Sequence, residues 1–190
     1  MKTLLSEIRN CDVCKEFLPL GPRPIVAGHS HAKILIIGHA PGTKVHKTGI
    51  PWDDQSGKQL RKWMGISVED FYDETKVAQM PMGFCYPGKG KSGDLPPRKE
   101  CAPLWHNKML KSLKNIELTI LIGQYSQRHY LEGKMERNLT ETVRNYQNYL
   151  PQFFVIPHPS PRNRFWLRKN PWFEEEMVPD LKTIVENLLD

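Results

Sequence analysis

Two short segments, far apart in the chain, hold residue types that could build a reaction centre: Gly38-His39-Ala40-Pro41-Gly42 and His158-Pro159-Ser160-Pro161-Arg162-Asn163. Glycine lets backbone approach a ligand closely, so the first segment can aim amide N–H groups at an anion or a water. Two prolines stiffen the second segment and exclude helix. Its imidazole, His158, can donate a hydrogen bond to an oxygen that gathers negative charge; a structural histidine bonded to backbone would read the same way. Trp52-Asp53-Asp54 sets a ring beside two carboxylates. Trp52 offers a face on which a base can stack, or else a core side chain. Asp54 or Asp53 can steady an oxocarbenium-like sugar and orient water, as glycosidic cleavage requires. Either could instead supply only negative charge to a helix N-terminus. After the second segment, Arg164, Phe165, Trp166, Arg168 and Lys169 interleave cations with rings, which suits phosphate contact and wedging into a duplex.

The four cysteines form a second constellation: Cys11-x-x-Cys14, then Cys85 and Cys101. No signal-like apolar stretch opens the sequence, and no run reaches the roughly 18 apolar residues of a membrane span. A cytoplasmic, nucleoid-associated protein is the expectation, and its thiols would stay reduced. Metal binding or plain burial then outranks disulfides. Four thiolates suit a 4Fe–4S cluster or tetrahedral zinc; no metal at all is the third possibility. Between Cys85 and Cys101, Lys89, Lys91, Arg98 and Lys99 face Asp94 and Glu100. Tethered at both ends, this loop would be a basic arm for a nucleic-acid backbone; untethered, a solvated loop.

The elements that must position these residues follow from patterning. Apolar runs predict strands at 33–38, 118–123 and 153–157, with a weaker one at 76–80. Each chemical segment begins where a strand ends, at the edge of the sheet where ligand sites form. Helices are predicted over 1–17 (carrying Cys11 and Cys14), 57–64 with Ser56 as N-cap, 103–114 with an early proline, 124–131, 139–149 and 174–189, the last interrupted or delayed by Pro179. Pro19, Gly21, Pro22 and Pro24 make a rigid connector. Residues 39–56 read as a long functional loop, and 81–100 as irregular. Strands alternating with helices predict a three-layer α/β/α sandwich around a central, mostly parallel four-stranded sheet. At 190 residues, a single domain over 1–190 is expected. The formal net charge of +6 favours a polyanionic partner.

Taken together, the two segments resemble the uracil-DNA glycosylase superfamily, which carries a strand-end motif near one end and a His-Pro-Ser loop near the other. The match runs in order over roughly 10 to 170. Gly38-His39-Ala40-Pro41-Gly42 is similar to the Gly-Glu-Ala-Pro-Gly of the iron–sulfur branch, with His39 in place of Glu. Lys47-Thr48-Gly49-Ile50-Pro51-Trp52 resembles that branch's Lys-Thr-Gly-x-Pro-Phe, which puts Trp52 where a Phe stacks on the flipped base. Asp54-Gln55-Ser56-Gly57 is similar to the Asp-x-Ser-Gly of a thermophile branch, whose Asp aids catalysis. The spacing from ring to acid is one residue shorter here, so Asp53 stays in contention. The Pro-Arg-Asn of the second segment is closest to the single-strand-selective monofunctional enzymes, where the residues matching Arg162 lie on a DNA-penetrating loop. The cysteine arrangement matches the iron–sulfur branch.

The resemblance implies a monomeric, monofunctional glycosylase that acts on flipped uracil or another deaminated base in DNA. His158, Asp54 and Asp53 would be catalytic. Trp52, His39, Ala40, Gly42, Met80 and Asn163 would bind the base. Ser160, Pro161, Arg162, Arg164, Lys89 and Lys91 would bind DNA, and Cys11, Cys14, Cys85 and Cys101 a 4Fe–4S cluster. There are departures. Ala40 stands where other branches use Asp or Asn to activate water, and Val45 where the iron–sulfur branch tends to carry an acid. Met80 falls near an Asn that reads the uracil edge, and Met has no paired donor and acceptor. A silent damage-binding module of the same fold is therefore the alternative. A covalent trap through His39, His46 or His106 is another.

Overall fold

Runs of branched apolar residues pair into one sheet in the computed structural model, which describes every residue except Ser92. β1 (Ile34–Ile37) lies between β2 (Val77–Gln79) and β5 (Leu118–Ile122), and β6 (Phe153–Ile156) closes the far edge. All three pairings are parallel, with Ile34 opposite both Val77 and Leu118, and Ile120 opposite Phe154. Every residue of β1, β2 and β5 is buried, so helices must cover both faces of the sheet. Burial of each large apolar side chain contributes about 1.5–3 kcal/mol, which makes the sheet the rigid base of the molecule. The α/β/α class expected from the sequence is the one observed. β3 (Lys89–Gly90) and β4 (Gly93–Asp94) form a separate antiparallel ladder inside the cysteine-bounded arm.

Several local expectations are corrected. The first helix spans only Lys2–Arg9. It stops at Asn10, whose amide turns back to the Ser6 carbonyl at 2.9 Å. Cys11 and Cys14 therefore lie beyond the helix, the latter just before a 3₁₀ turn, Lys15–Phe17. The segment 39–56 is not all loop, because it contains the helix Thr43–Thr48, ended by Gly49 at φ 77°. The next helix, Gln55–Met64, is capped by Asp54, not Ser56: Asp54 Oδ1 accepts the Gly57 N–H at 2.8 Å. Pro179 falls in the first turn of Val178–Leu189, after a wider turn at Phe173–Met177. Two short helices without an apolar stripe were not expected, Val68–Tyr72 and Arg164–Lys169. Among the described residues no helix is long and apolar enough to cross a membrane.

Candidate active site

A cavity of about 330 Å³ opens where β1, β2 and β6 end. The loops around it are tied to one another through backbone. Met82 N–H donates to Gly38 O at 2.9 Å and Gly83 N–H to His39 O at 3.0 Å, joining the loops after β1 and β2. Ala27 and Gln79 exchange hydrogen bonds of 3.0 and 2.8 Å. β1 and β5 lie side by side although β1 connects onward to its other neighbour, β2. Such a reversal of strand order opens a crevice at the carboxyl ends. Tyr125, after β5, packs edge-on against His39 there, with ring centres 5.1 Å apart.

Trp52 lines the cavity and adopts φ 56°, a left-handed conformation costly for a side chain with a Cβ. Two glycines make its position possible. A Cβ on Gly38 would lie 2.7 Å from the Trp52 ring, and one on Gly57 only 1.8 Å from the Trp52 carbonyl oxygen. The indole sits 5.8 Å from the His158 ring at an interplanar angle of 34°.

His158 and His39 line the same cavity. Burial, reinforced by nearby His39, pushes His158 down to about 4, so it is a neutral imidazole at physiological pH. Its Nδ1 is buried without a partner. His39 is also lowered by burial, against an opposing pull from Asp94. Asn163 does not face the cavity; its amide donates to the His158 carbonyl at 2.6 Å and fixes the turn. Ser160 Oγ accepts the Arg162 N–H at 3.3 Å. The turn so formed, Pro161–Asn163, brings Ser160 and Arg162 to the cavity while Pro161 and Arg164 face solvent.

The two acids diverge. Asp54 lines the cavity. Asp53 does not, and instead meets exposed Lys44 at 3.4 Å. Ala40 and Gly42 line the cavity, as does Val45. Met80 does not: it is wholly buried in the core. Successive strand side chains point to opposite sides, and it is the preceding residue, Gln79, that reaches the cavity. Gln79 Nε2 donates to the Phe71 carbonyl at 2.8 Å, which fixes the amide orientation. Gln79 Oε1 is left buried with no partner. The signal in the sequence was a lone amide at the end of an apolar strand. Asp94 was also missed; it comes to the cavity from the β3–β4 ladder, and as one acid in a basic loop it carried no pattern. Lys89 and Lys91 are exposed on the same ladder and its turn.

A model of the uracil DNA glycosylase superfamily matches residues 26–182. The chain belongs to the uracil DNA glycosylase superfamily. A solved structure similar to it is that of wild-type Pedobacter heparinus SMUG2, at 11% identity, with 81% of this chain and 76% of that one covered and a TM-score of 0.44.

Of the three histidines considered for covalent capture, only His39 reaches the cavity of this superfamily member. His106 is held in the core between Tyr130 Oη at 2.5 Å and the Pro81 carbonyl at 3.2 Å. His46 packs toward Tyr86 at 6.3 Å between ring centres.

All four cysteines are free thiols and line one small apolar cavity with Leu18, Pro24, Phe84, Arg98 and Trp105. Burial pushes Cys85 up to about 12 and Cys101 to about 11, and raises Cys14 as well. Phe84 N–H points at Cys101 Sγ, 3.5 Å away, and Arg98 pairs with Glu100 beside Cys14. Among the described residues no group of three or more His, Cys, Asp or Glu side chains is arranged to hold a metal ion. The donor chemistry still fits a thiolate-bound cluster: four sulfurs on one cavity, a largely apolar wall and an N–H aimed at sulfur.

Proposed function

We propose that the chain is a monofunctional DNA glycosylase that hydrolyses the N-glycosidic bond of uracil or another deaminated base flipped out of DNA. The observation that carries this reading is Gln79, which lines a cavity with Trp52 and His158 and whose Oε1 is a buried acceptor without a partner. An unpaired buried acceptor costs about 1–3 kcal/mol, so a ligand that donates to it is favoured. Uracil, hypoxanthine and xanthine each present an imide-type N–H at that edge. Cytosine and adenine present a lone pair at the corresponding ring nitrogen and can reach that oxygen only through the exocyclic amino group, in a different pose.

Chemistry at the cavity follows. Trp52 stacks on the extruded base. His158, neutral, donates a hydrogen bond to a carbonyl oxygen of the departing base and takes up part of its negative charge. Asp54, held by the Gly57 N–H, steadies the sugar cation and orients water. Arg162 enters the stack and supports flipping. Lys44 stands at the rim, exposed and paired with Asp53, without the burial that turns a lysine into a Schiff-base nucleophile. Hydrolysis without strand cleavage is the result.

Cys11, Cys14, Cys85 and Cys101 would hold a 4Fe–4S cluster. When bound, such a cluster supplies a covalent cross-link and stored charge. The residues of the chain do the rest: the thiols give up their protons on ligation, and Phe84 N–H supports one sulfur.

The test is base release from oligonucleotides holding uracil, hypoxanthine or xanthine, single-stranded and paired, with cytosine and adenine as controls. Release of deaminated bases with no strand break before alkali is expected. DNA binding with no release from any substrate would replace this reading with a silent damage-binding module.

A further inference from the structure

The cysteine-bounded arm does more than flank the cavity. Its ladder is closed by Leu95 N–H donating to Gly88 O at 2.8 Å. The tip meets the opposite loop: a Cβ on Gly93 would lie 2.3 Å from Arg162 Nη1, the end of an exposed side chain. Beside that contact the next residue, Asp94 on the ladder, lies over the loop that follows β1. Asp94 Oδ2 is 3.7 Å from where a Gly42 Cβ would stand. Asp94, Gly42 and His39 line the same cavity.

We infer that His39 and Asp94 form the pair that activates the attacking water, with Asp94 delivered by the cysteine-bounded arm; this rests on the glycosylase reading. A reaction that adds water to a sugar carbon must place one proton somewhere. Asp54, held through Oδ1 by the Gly57 N–H, must stay charged to steady the sugar cation and orient the water, and His158 is given to the departing base. His39 is the remaining imidazole on the cavity, and Asp94 is the carboxylate whose charge it feels. The water oxygen bonds to C1′ as the C1′–N bond breaks and its electron pair leaves on the base. One water proton goes to His39, and the Asp94 carboxylate stabilises the imidazolium. That proton then passes to the released base anion through solvent. His39 is the catalytic residue; Asp94 positions it and balances its charge.

Single-turnover base release by wild type, Asp94→Asn, His39→Gln and the double variant tests this. Asp94→Asn should lower the rate constant by ~10²-fold, with substrate affinity within about threefold. Losing the carboxylate removes support for the imidazolium, so the acid limb of the pH–rate profile should move to lower pH. The double variant should be no slower than His39→Gln, because Asp94 acts only through that ring. A merely structural Asp94 would slow the reaction with the limb unmoved, and that result overturns the pair. So does a rate for Asp94→Asn equal to wild type, or losses that multiply in the double variant. Wild type that releases no base overturns the glycosylase reading itself, and the pair with it.

Discussion

The loops at the sheet ends and the arm between Cys85 and Cys101 reach one cavity by different means. The first set is locked by the core: each loop leaves a strand whose last three residues are buried, and backbone hydrogen bonds join neighbours, as Gly83 to His39. The arm is buried over residues 85–88 but beyond them has no strand of the sheet beneath it. It carries a ladder of two residues per strand, a turn closed by Leu95, and a contact with Arg162. Its ends converge on the four-thiol cavity. One set is positioned by hydrophobic burial, the other by its ends. The two should therefore fail under different insults.

Acid attacks the sheet side, and its effect should be the largest. His158 and His106 are held down to about 4 by burial, whereas an unfolded imidazole titrates near 6.5. Between those values the unfolded chain binds more protons than the folded one. Stability should therefore be full above about pH 6.5, fall steadily toward pH 4, and level off below. Each histidine can account for up to about 3 kcal/mol of that loss. Thermal melts across this range check it. A melting temperature unchanged between neutral pH and pH 4 would mean that these rings are not buried as neutral groups.

Breaking the other side needs a change at the thiols. Cys11 is the half-buried member of the four, so Cys11→Ser perturbs the core least. The variant should lose iron and the broad visible absorbance of an Fe–S thiolate site. It should keep the sheet, read by circular dichroism, while the arm becomes a protease-sensitive loop. Base release should fall toward the level of Asp94→Asn, ~10²-fold, because a loose arm no longer presents that carboxylate. Anaerobically purified wild type without iron would remove the cluster from the account. A loosened arm with undiminished release would separate the arm from catalysis.

The same division explains what the sequence made legible. Strands were readable because burial on both faces leaves an apolar run with few alternatives, as in Leu118–Ile122. Loops that start at such strands inherit their place, which is why His39, Trp52, Asp54 and His158 were found and do converge. Placing Met80 in the base site missed because one residue of register reverses a strand side chain, and a strand end read from patterning is not that sharp. Asp94 was illegible for a different reason: it reaches the cavity from a ladder of two residues per strand, too short to leave a pattern in the sequence. The helix stop at Asn10 turned on one side-chain hydrogen bond.

Within the sheet-side machinery, the finest distinction is between the adjacent acids, and the smallest effect is expected there. Capping geometry pulls them apart. Asp54 stands in extended conformation at the N-cap and turns its carboxylate inward to Gly57 N–H, whereas Asp53 points outward to Lys44. Exposed pairs of that kind contribute about 0–1 kcal/mol. Asp53→Asn should thus leave base release within about twofold of wild type and the melting temperature nearly unchanged. Asp54→Asn should slow release far more, because it removes a charge from the cavity wall that the glycosylase reading sets against the sugar, with a further loss of about 1 kcal/mol or less from the weakened cap. Measured side by side, a larger defect in Asp53→Asn than in Asp54→Asn would reverse the assignment. It would place the sugar on the Lys44 side of the loop, outside the cavity that Trp52 and His158 define.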